Sequence, residues 1–488
     1  MKAYLHHSIW TIGFILLAVT SALAQLMPNP SAVQQSTGLN GAVTAMTVYD
    51  GKLVIAGNFT DADGMPCKGL VTWNGTAFDT IPGTPGFRTH ISGGNRINTL
   101  LQAENSLYVG GNFPTLDTDS GFASVGHIIR YTGAGWQRML TNTTHPAARA
   151  ASGPVKSLVF HEDKLYVGGD FTTVDVNGDN IQAGHLATYD WNSTPLWKAV
   201  GTDGLSGNSA SAEAMTLWNN RVLVAGRFEA GDSIPSRNMV IYDEVLGFIS
   251  INTGTFTAQV GRARCLAIQN GKVYVGGDFN NIGQNNLFGL NAYDGTNWLN
   301  LNADIGIDRR ALYACDEDYV WVGGQLDGLG ASVNNLYVYD VMNDSVLPFS
   351  SNYWGVDGIV NAMVEYNGEL YIAGEFNYLQ GSNGHADMAF KNILKVSGFC
   401  GSLTGINEVN SESGLRLYPN PANNFVTIDN IPKSSKLMVF DISGKVVYSF
   451  FTKTESTTIN TSDFVNGIYI LTIMENTGTT VKKLIISR

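Results

Sequence analysis

The chain lacks a second long hydrophobic run. Residues 1–24 carry Lys2, an apolar run at 9–19 and small residues before Gln25, which is the order of a secretory signal peptide. No later stretch approaches the roughly 20 apolar residues that a membrane-spanning helix needs. We therefore expect cleavage after Ala24 and a soluble, exported mature chain without a transmembrane segment.

Charged residues are scarce, and basic residues are the scarcer kind. The chain has 29 Lys and Arg against 41 Asp and Glu, so that loss of Lys2 with the signal peptide leaves 28 against 41 and a formal charge of −13. Nucleic-acid binding needs a basic surface, so we expect no nucleic-acid partner. Charged residues make up only 14% of the chain, and the 55 Gly and 20 Tyr favour turns and β-structure over a disordered acidic tail.

Cysteine is also rare. An even number of cysteines in an exported protein permits disulfides, and the four present allow three complete pairings. In the repeat alignment given below, Cys265 and Cys315 fall at different heights on neighbouring inner strands, and Cys67 and Cys400 fall at opposite ends of the outer strand. We therefore expect mostly buried or unpaired thiols.

Local signatures of catalysis are absent and those of metal binding are incomplete. The chain has no G-x-S-x-G elbow and no H-E-x-x-H motif. His127 and His185 hold equivalent positions in adjacent repeats, but Asn or Gly at that position in other repeats favours a role in strand entry over a metal pair. Three loops have calcium-like acidic spacing but no terminal Glu, and their residues also suit turns. These acidic residues are Asp61, Asp63, Asp117, Asp119, Asp175 and Asp179. We expect no cofactor, and calcium is the one ion that the sequence leaves open.

A seven-fold internal repeat organises most of the chain. Its best copy is Leu165 to Phe171, Leu-Tyr-Val-Gly-Gly-Asp-Phe, and the closing Phe or Leu recurs every 47 to 58 residues. Fifteen positions align without a gap from Val43, Ile97, Val155, Ala212, Ala263, Arg310 and Val360. Each unit reads as a strand, a tight turn of Asp, Asn, Glu or Gly, and a returning strand, so seven hairpins are predicted. The second Gly of the pair is present in all seven copies, which indicates a steric requirement.

A third strand that ends in an aromatic and a polar residue follows the hairpins, and a fourth short strand then begins near Phe78, Trp136, Trp197, Phe248 and Trp298. Four antiparallel strands in each of seven units of about 50 residues predict an all-β, seven-bladed β-propeller over residues 25–400. The double Gly, the Tyr-Asp pair and the following Trp resemble kelch repeats of galactose-oxidase-like propellers. No Tyr, Cys and His copper set can be assigned here. The last unit lacks a fourth strand, so we expect residues 31–37 to supply it and close the ring, which removes an exposed edge.

The last 75 or so residues lack the repeat and follow a polar linker, 401–414. Short strands near 425–428, 437–440, 446–450, 468–474 and 481–486 predict a small Ig-like β-sandwich over 415–488. This domain resembles the type A C-terminal sorting domain of the type IX secretion system. The matching residues are Tyr418, Pro419, Asn420, Pro421, Gly467, Tyr469, Lys482 and Lys483. The resemblance implies the type IX machinery as a partner, passage through the periplasm and outer membrane, and release or attachment at the cell surface.

Function is expected at the end of the propeller that carries the long connections. Connections between second and third strands, and between fourth and first strands, emerge at one end, and they are longest around units seven, one, two and three. Loop growth without any selected function would explain the lengths of these connections equally well. The second aligned position of the inner strand is polar in six of seven units, which indicates a solvated channel and, as a second interpretation, a ligand site. The candidate contacts are Phe87, Arg88, His90, Arg96, Phe122, Lys156, Glu213 and Arg264.

The leading hypothesis is therefore an exported propeller that binds an extracellular glycan or protein through its long-loop face. A carbohydrate-active hydrolase or lyase that uses acidic loop residues is the alternative, and a structural surface protein is the third. Two or three carboxylates beside a His or Tyr in a pocket would favour the enzyme. An open aromatic patch without such a cluster would favour binding.

Overall fold

The computed structural model describes residues 29–32, 38–87, 96–118, 121–141, 144–251, 261–279, 289–301, 308–315, 319–326, 333–348, 350, 352–381, 386–399, 416–431, 435–440, 446–452, 454–462, 464–475 and 478–487. These residues form strands and connections, with no helix among them. The part of the chain described therefore contains no helix that is long and apolar enough to cross a membrane. The chain divides into two compact units, Met1–Gly401 and Ser402–Arg488. The predicted signal peptide, 1–24, and linker, 401–414, lie outside the described residues.

Among the described residues of the first unit there are seven four-stranded antiparallel sheets. Six of them are meanders of consecutive strands, and the seventh takes its fourth strand from the N-terminal segment. Their strands, from first to fourth, are as follows. Sheet 1 contains Val43–Tyr49, Lys52–Gly57, Leu70–Trp73 and Phe78–Asp79; sheet 2 contains Arg96–Ala103, Ser106–Asn112, Ile128–Tyr131 and Trp136–Arg138; sheet 3 contains Val155–His161, Lys164–Gly169, Leu186–Tyr189 and Trp197–Ala199; sheet 4 contains Ser211–Trp218, Arg221–Arg227, Met239–Asp243 and Gly247–Ser250; sheet 5 contains Ala263–Gln269, Lys272–Gly277, Leu290–Tyr293 and Trp298–Asn300; sheet 6 contains Asp308–Cys315, Tyr319–Gln325, Leu336–Asp340 and Ser345–Pro348; sheet 7 contains Ile359–Tyr366, Glu369–Glu375, Ile393–Ser397 and Asn29–Ala32.

The tight turns between first and second strands have the backbone geometry that their sequences predict. In sheet 1, Asp50 and Gly51 have φ values of 50° and 68°, and the other described turn pairs are alike. Two consecutive residues with positive φ match the right-handed twist of the flanking strands. The pairs are Asp50-Gly51, Glu104-Asn105, Glu162-Asp163, Asn219-Asn220, Asn270-Gly271 and Asn367-Gly368. These hairpins are confirmed, while the turn of sheet 6 lies outside the described residues.

The recurring second glycine has a steric cause, as predicted. A Cβ on Gly169 would lie 2.1 Å from the carbonyl oxygen of Pro154, at the start of the adjacent first strand. The six equivalent glycines would place a Cβ 1.9 to 2.1 Å from the matching carbonyl. Only glycine permits this approach of two backbones.

A β-bulge interrupts every first strand at the same place. In sheet 1 the pairing shifts between Val43 and Ala45, so Thr44 leaves the ladder. The bulged residues of the seven sheets are Thr44, Asn98, Lys156, Glu213, Arg264, Arg310 and Asn361. The gapless alignment was therefore wrong in one unit. In sheet 6 the register pairs Arg309 with Gly324, which is one residue longer than elsewhere, and the bulged residue is Arg310 rather than Ala311.

The first strands contact one another in chain order, and the first strand of sheet 7 contacts that of sheet 1. A separate apolar cluster lies between each pair of neighbouring sheets. Between sheets 7 and 1, for example, Tyr371 and Ile393 pack in one cluster with Leu53 and Ile55. Seven contiguous interfaces thus bury the two faces of every sheet, and the order closes on itself.

An N-terminal segment completes the last sheet. Asn29–Ala32 pairs antiparallel with Ile393–Ser397 as the fourth strand of sheet 7. This strand begins two residues before the segment 31–37 that we expected in this position. Residues 33–37 of that segment lie outside the described part of the chain. The pairing covers the outer edge of Ile393–Ser397 with strand from the other end of the unit.

Many of the long connections form small β-sheets of their own, which the sequence did not indicate. Two-stranded sheets join Asp61–Ala62 with Met65–Pro66, and Thr115–Thr118 with Gly121–Ser124. Three-stranded sheets add a strand from the preceding connection. Their strands are Arg149–Ala151, Thr173–Val176 and Ile181–Gln182; Leu205–Ser206, Ala230–Gly231 and Ile234–Pro235; and Tyr353–Val356, Tyr378–Gly381 and Met388–Ala389. Because strands alternate in direction, all these connections emerge at one end of their sheets, which we call the long-loop face.

The second unit contains a three-stranded and a four-stranded antiparallel sheet. The first contains Arg416–Tyr418, Phe425–Asp429 and Ser456–Asn460. The second contains Val446–Phe451, Lys436–Phe440, Gly467–Glu475 and Gly478–Ile486, in this spatial order. Val426 and Ile428 of the first sheet share a buried core with Val439 and Leu471 of the second. All five predicted strands are present, and Arg416–Tyr418 and Ser456–Asn460 were missed.

The cysteines differ in part from expectation. Cys67, half-buried, and Cys265, buried, are free thiols. Cys315 is disulfide-bonded, and its partner lies outside the described residues. The expectation of unpaired thiols was therefore wrong for Cys315, because strand heights inferred from repeats do not fix the distances that decide pairing.

Candidate functional site

The bulged residues make side-chain contacts from sheet to sheet, at the ends of the first strands that lie nearest the long-loop face. Asn98 Nδ2 donates to the carbonyl of Val155 at 2.9 Å, and Asn361 Nδ2 donates to the carbonyl of Val43 at 3.0 Å. Thr44 Oγ1 likewise donates to the carbonyl of Ile97. In each case the side chain reaches the next sheet in the cyclic order. Because a bulged residue is free of its own ladder, it can bond across the sheet boundary.

In sheets 3 to 6 these contacts are ionic. Lys156 Nζ lies 2.7 Å from Glu213 Oε1, and Arg264 Nε lies 2.8 Å from Asp308 Oδ1. Asp308 Oδ2 also lies 2.8 Å from Arg310 Nε. Two further acids close the group: Asp170 lies 2.9 Å from Lys156, and Asp278 lies 3.0 Å from Arg264. The predicted site residues Lys156, Glu213 and Arg264 are thus brought together, but in a network that joins sheets.

The remaining candidates are placed differently. Arg96 is exposed at the start of sheet 2, within electrostatic reach of Glu375, Arg310 and Arg264. Phe87 was expected to be an exposed contact, and this was wrong: it is 3% exposed and packs edge-on against Phe113, 5.3 Å between ring centroids. Its phenyl ring belongs to the core between sheets 1 and 2. Arg88 and His90, and the side chain of Phe122, lie outside the described part of the structure.

The acidic residues proposed for calcium act as turn residues where they are described. Asp61 Oδ1 accepts a hydrogen bond from Gly64 N at 2.8 Å. Asp175 is buried, and its carboxylate accepts from Asp179 N at 2.8 Å and from the Thr141 hydroxyl. Among the described residues, no group of three or more His, Cys, Asp or Glu is placed to hold a metal ion. Asp117 and Asp119 fall where side chains are not described, and calcium binding stays a prediction.

The paired histidines hold a left-handed strand-entry position, as the sequence suggested. His127 and His185 both have φ of 71°, and the other five sheets have Gly or Asn there with φ between 58° and 81°. His127 N donates to the carbonyl of Phe113, and its own carbonyl accepts from Gly111 N. Burial, with Arg149 nearby, lowers the pKa of His127 to about 4. The imidazole is therefore neutral at ordinary pH.

A cavity that the sequence did not indicate opens on the long-loop side of sheets 1 and 2. Its volume is about 550 Å³, within the range of small-molecule sites. The walls are mostly apolar and come from both sheets and their connections. The lining residues are Lys68, Gly83, Thr84, Pro85, Leu116, Ala123, Val125, Ile129, Trp136 and Arg138. None of the described residues that line this cavity carries a carboxylate.

The small sheet before and within unit seven exposes large apolar side chains on the long-loop face. Trp354 is 39% exposed, Tyr378 is 49% exposed and Met388 is 39% exposed. Trp354 is itself the bulged residue of its strand, because the pairing shifts between Tyr353 and Gly355. Amide groups lie on the same sheet: Asn334 Nδ2 donates to the Gln380 side chain, and Asn334 bridges to Gly355. Sequence analysis missed Trp354 and Tyr378 because they lie in strands that had been assigned to loops.

In the second unit the predicted sorting residues join the two ends of the domain. The side-chain amide of Asn420 donates to the Lys483 carbonyl at 2.8 Å and accepts from Ile485 N at 2.8 Å. The peptide bonds preceding Pro419 and Pro421 are cis. Gly467 begins the strand that pairs with the last strand, while Tyr469 is buried and donates to the Val465 carbonyl at 2.9 Å. Tyr418 donates to Asp429, and Lys482 and Lys483 lie on the last strand.

Residues 416–487 match the family model of the secretion system C-terminal sorting domain. The sorting domain is confirmed. The match covers the second unit alone, and it indicates secretion to the cell surface or the extracellular space through the type IX system.

Two solved structures are similar to the chain as a whole. One is PorZ, an essential bacterial surface component of the type IX secretion system of Porphyromonas gingivalis, with 15% identity and a TM-score of 0.41 over 91% of this chain. This chain spans 59% of the length of PorZ. The other is the computationally designed Ika8 protein, with 13% identity and a TM-score of 0.40 over 93% of this chain and 99% of that one. Both TM-scores are below 0.5. No curated protein matches the chain.

Proposed function

We propose that this protein is an exported binding module, a seven-bladed kelch-like propeller that is carried to the cell surface or the medium by an Ig-like sorting domain. After removal of the signal peptide, residues 1–24, the propeller binds an extracellular glycan or protein through its long-loop face. The cyclic order of the seven sheets, with a core cluster at every boundary, supports the propeller.

The exposed aromatic sheet is the observation that carries the binding proposal. Trp354 and Tyr378 present partly exposed rings on short hydrogen-bonded strands, which hold them in place better than an irregular loop would. Aromatic faces stack on the apolar faces of sugars and are also the usual anchors of protein interfaces. Asn334 and Gln380 add amide donors and acceptors beside them.

The hydrolase or lyase alternative needs a carboxylic acid placed in a pocket with a proton-transfer partner. The acids of the ionic network that joins sheets, Glu213, Asp278 and Asp308, are each bonded to an Arg or Lys side chain. None of the described residues that line the roughly 550 Å³ cavity between sheets 1 and 2 is acidic. These observations favour binding over turnover.

The test is a glycan array probed with the full secreted chain, with retention and release of reducing ends both recorded. We expect retention without turnover, and a loss of about tenfold or more in affinity for each of Trp354→Ala and Tyr378→Ala. Met342→Ala is the matched control, because Met342 is 76% exposed but lies at the opposite end, in a turn between third and fourth strands. Release of reducing ends would favour the enzyme. Unchanged retention by both variants would reject this surface as the glycan site, and no retention by the wild type would leave a protein ligand or a structural role.

A further inference from the structure

We propose that the cavity between sheets 1 and 2 binds a small molecule with an apolar body and a carboxylate head. This site is separate from the aromatic sheet of unit seven and does not depend on glycan or protein binding there.

The body of the ligand is fixed by the walls. Leu116, Val125 and Ile129 are buried side chains that present methyl groups to the cavity, and Pro85 and Ala123 extend this surface. A sugar placed among these side chains would leave hydroxyl groups without hydrogen-bond partners, at a cost of roughly 1–3 kcal/mol each. An alkyl or aryl group loses nothing there, and its burial contributes about 25 cal/mol per Å².

The head of the ligand is fixed by two donors without partners. Trp136 and Arg138 both line the cavity. Trp136 Nε1 and Arg138 Nε are buried and make no hydrogen bond. Unpaired buried donors of this kind are rare in folded proteins. Arg138 uses its Nη2 to hold the Ala148 carbonyl at 3.0 Å, so its guanidinium is anchored while Nε stays available.

The charge of the head follows from the same residues. Among the described residues, neither Arg138 nor Lys68 has an ion-pair partner, and none that lines the cavity is acidic. Burial lowers the pKa of Arg138, which shows that its charge is partly removed from water. An anion restores the lost solvation, and a carboxylate can accept from an indole and a guanidinium at once. A cationic head group accepts neither hydrogen bond, and a neutral head group brings no negative charge to balance the guanidinium.

The position of Trp136 is fixed independently of any ligand. Its indole packs against Tyr131, 5.1 Å between ring centroids, and against Phe87 at 5.9 Å. Gly83 lies over the indole, where a Cβ would come within 3.9 Å of Cδ1. The indole therefore forms a preformed part of the cavity wall, which reduces the entropic cost of binding.

The experiment uses the full secreted chain and three probes with the same ten-carbon body: decanoate, decanol and decylamine. Isothermal titration calorimetry should show decanoate binding at least tenfold more tightly than decanol, because a charge-assisted hydrogen bond contributes roughly 1.5–3 kcal/mol, and decylamine more weakly still. Equal affinity of the three probes, or no binding of decanoate, would overturn the proposal.

Two variants assign the head group to its donors. Arg138→Gln should weaken decanoate binding about tenfold or more and leave decanol unchanged, whereas Trp136→Phe keeps a ring and removes one donor, for a loss of roughly two- to tenfold. Arg130→Gln is the matched control. Arg130 follows Ile129, the residue that pairs with Arg138 across the two strands. The guanidinium of Arg130 donates to the Gln137 side chain, and Arg130 is not among the residues that line the cavity. Thermal unfolding of each variant separates loss of the site from loss of the fold. A folded Arg138→Gln variant with wild-type affinity for decanoate would refute the assignment.

Discussion

At the residue scale, single positions carry backbone conformations that their neighbours require. His127 sits where Gly69 and Asn392 sit in other sheets, in a left-handed conformation that bonds both its N–H and its carbonyl to the preceding hairpin. The backbone accounts for the choice of Gly, Asn or His there. The imidazole then lies buried, with Nδ1 unpaired, and it couples folding to pH.

The first prediction concerns this coupling. Because burial lowers the pKa of His127 to about 4, the unfolded chain binds more protons than the folded chain between pH 6.5 and 4. Stability from this residue is thus complete above pH 6.5 and falls by on the order of 3 kcal/mol as the pH drops to 4. Urea unfolding midpoints measured across this range should decrease towards acid.

The matched variant is His127→Asn, since Asn238 and Asn392 hold the same conformation with φ of 64° and 65°. This variant should flatten the acid side of the profile and leave the neutral side almost unchanged. His185, whose pKa is also lowered by burial, supplies the remaining slope. An identical profile for variant and wild type would show that His127 does not titrate in this window.

At the element scale, one β-bulge per first strand does two things. It releases a polar residue from the ladder, and it lets that side chain bond to the next sheet, as Asn98 does to Val155. In sheets 3 to 6 charged residues make these contacts between sheets. The residues that the sequence offered as ligand contacts, such as Lys156 and Arg264, therefore also hold neighbouring sheets together. Neighbouring sheets are consequently joined in two ways: by apolar core clusters between their faces, and by polar contacts of the bulged residues in their first strands.

The second prediction concerns the strand that completes sheet 7. Deletion of Asn29–Ala32, which joins residue 28 directly to residue 33, exposes the edge of Ile393–Ser397. Loss of these ladder hydrogen bonds should destabilise the first unit by on the order of 2–4 kcal/mol and promote self-association through the open edge. Urea unfolding and light scattering measure the two effects.

Deletion of residues 25–28 provides a control of equal length that keeps the strand. Its unfolding midpoint should equal that of the wild type. If the deletion of Asn29–Ala32 is as stable and as monomeric as this control, the strand has no part in closing the ring.

At the scale of the whole molecule, the two units have separate tasks. The second unit contains the sorting domain, in which Asn420 ties the Tyr-Pro-Asn-Pro segment to the last strand through the Lys483 carbonyl and Ile485 N. Among the described residues, the seven core clusters of the first unit contain residues of that unit alone. We therefore expect the first unit to fold without the sorting domain.

The third prediction follows from this division. A chain ended after residue 414 should fold and accumulate in the periplasm, because the type IX machinery has no signal to recognise. Cell fractionation followed by limited proteolysis should show a protease-resistant periplasmic protein of the first unit. Surface display or release into the medium at the wild-type level would contradict the role of residues 416–487 in export.

The sequence by itself determined the repeat, the hairpins and the sorting domain, because these depend on local patterns: a glycine every unit, turn pairs such as Asn270-Gly271, and a contiguous C-terminal motif. Tertiary structure decided what depends on approach between distant segments. The strand register shows that the hairpin of the sixth unit is one residue longer than the repeat alignment predicts, and Cys315 is in a disulfide. The packing buries Phe87, and the pairing of short strands places Trp354 and Tyr378 in a small sheet. The cavity beside Trp136 is of the same kind, because its walls come from two sheets and their connections, and only packing shows which donors remain unpaired.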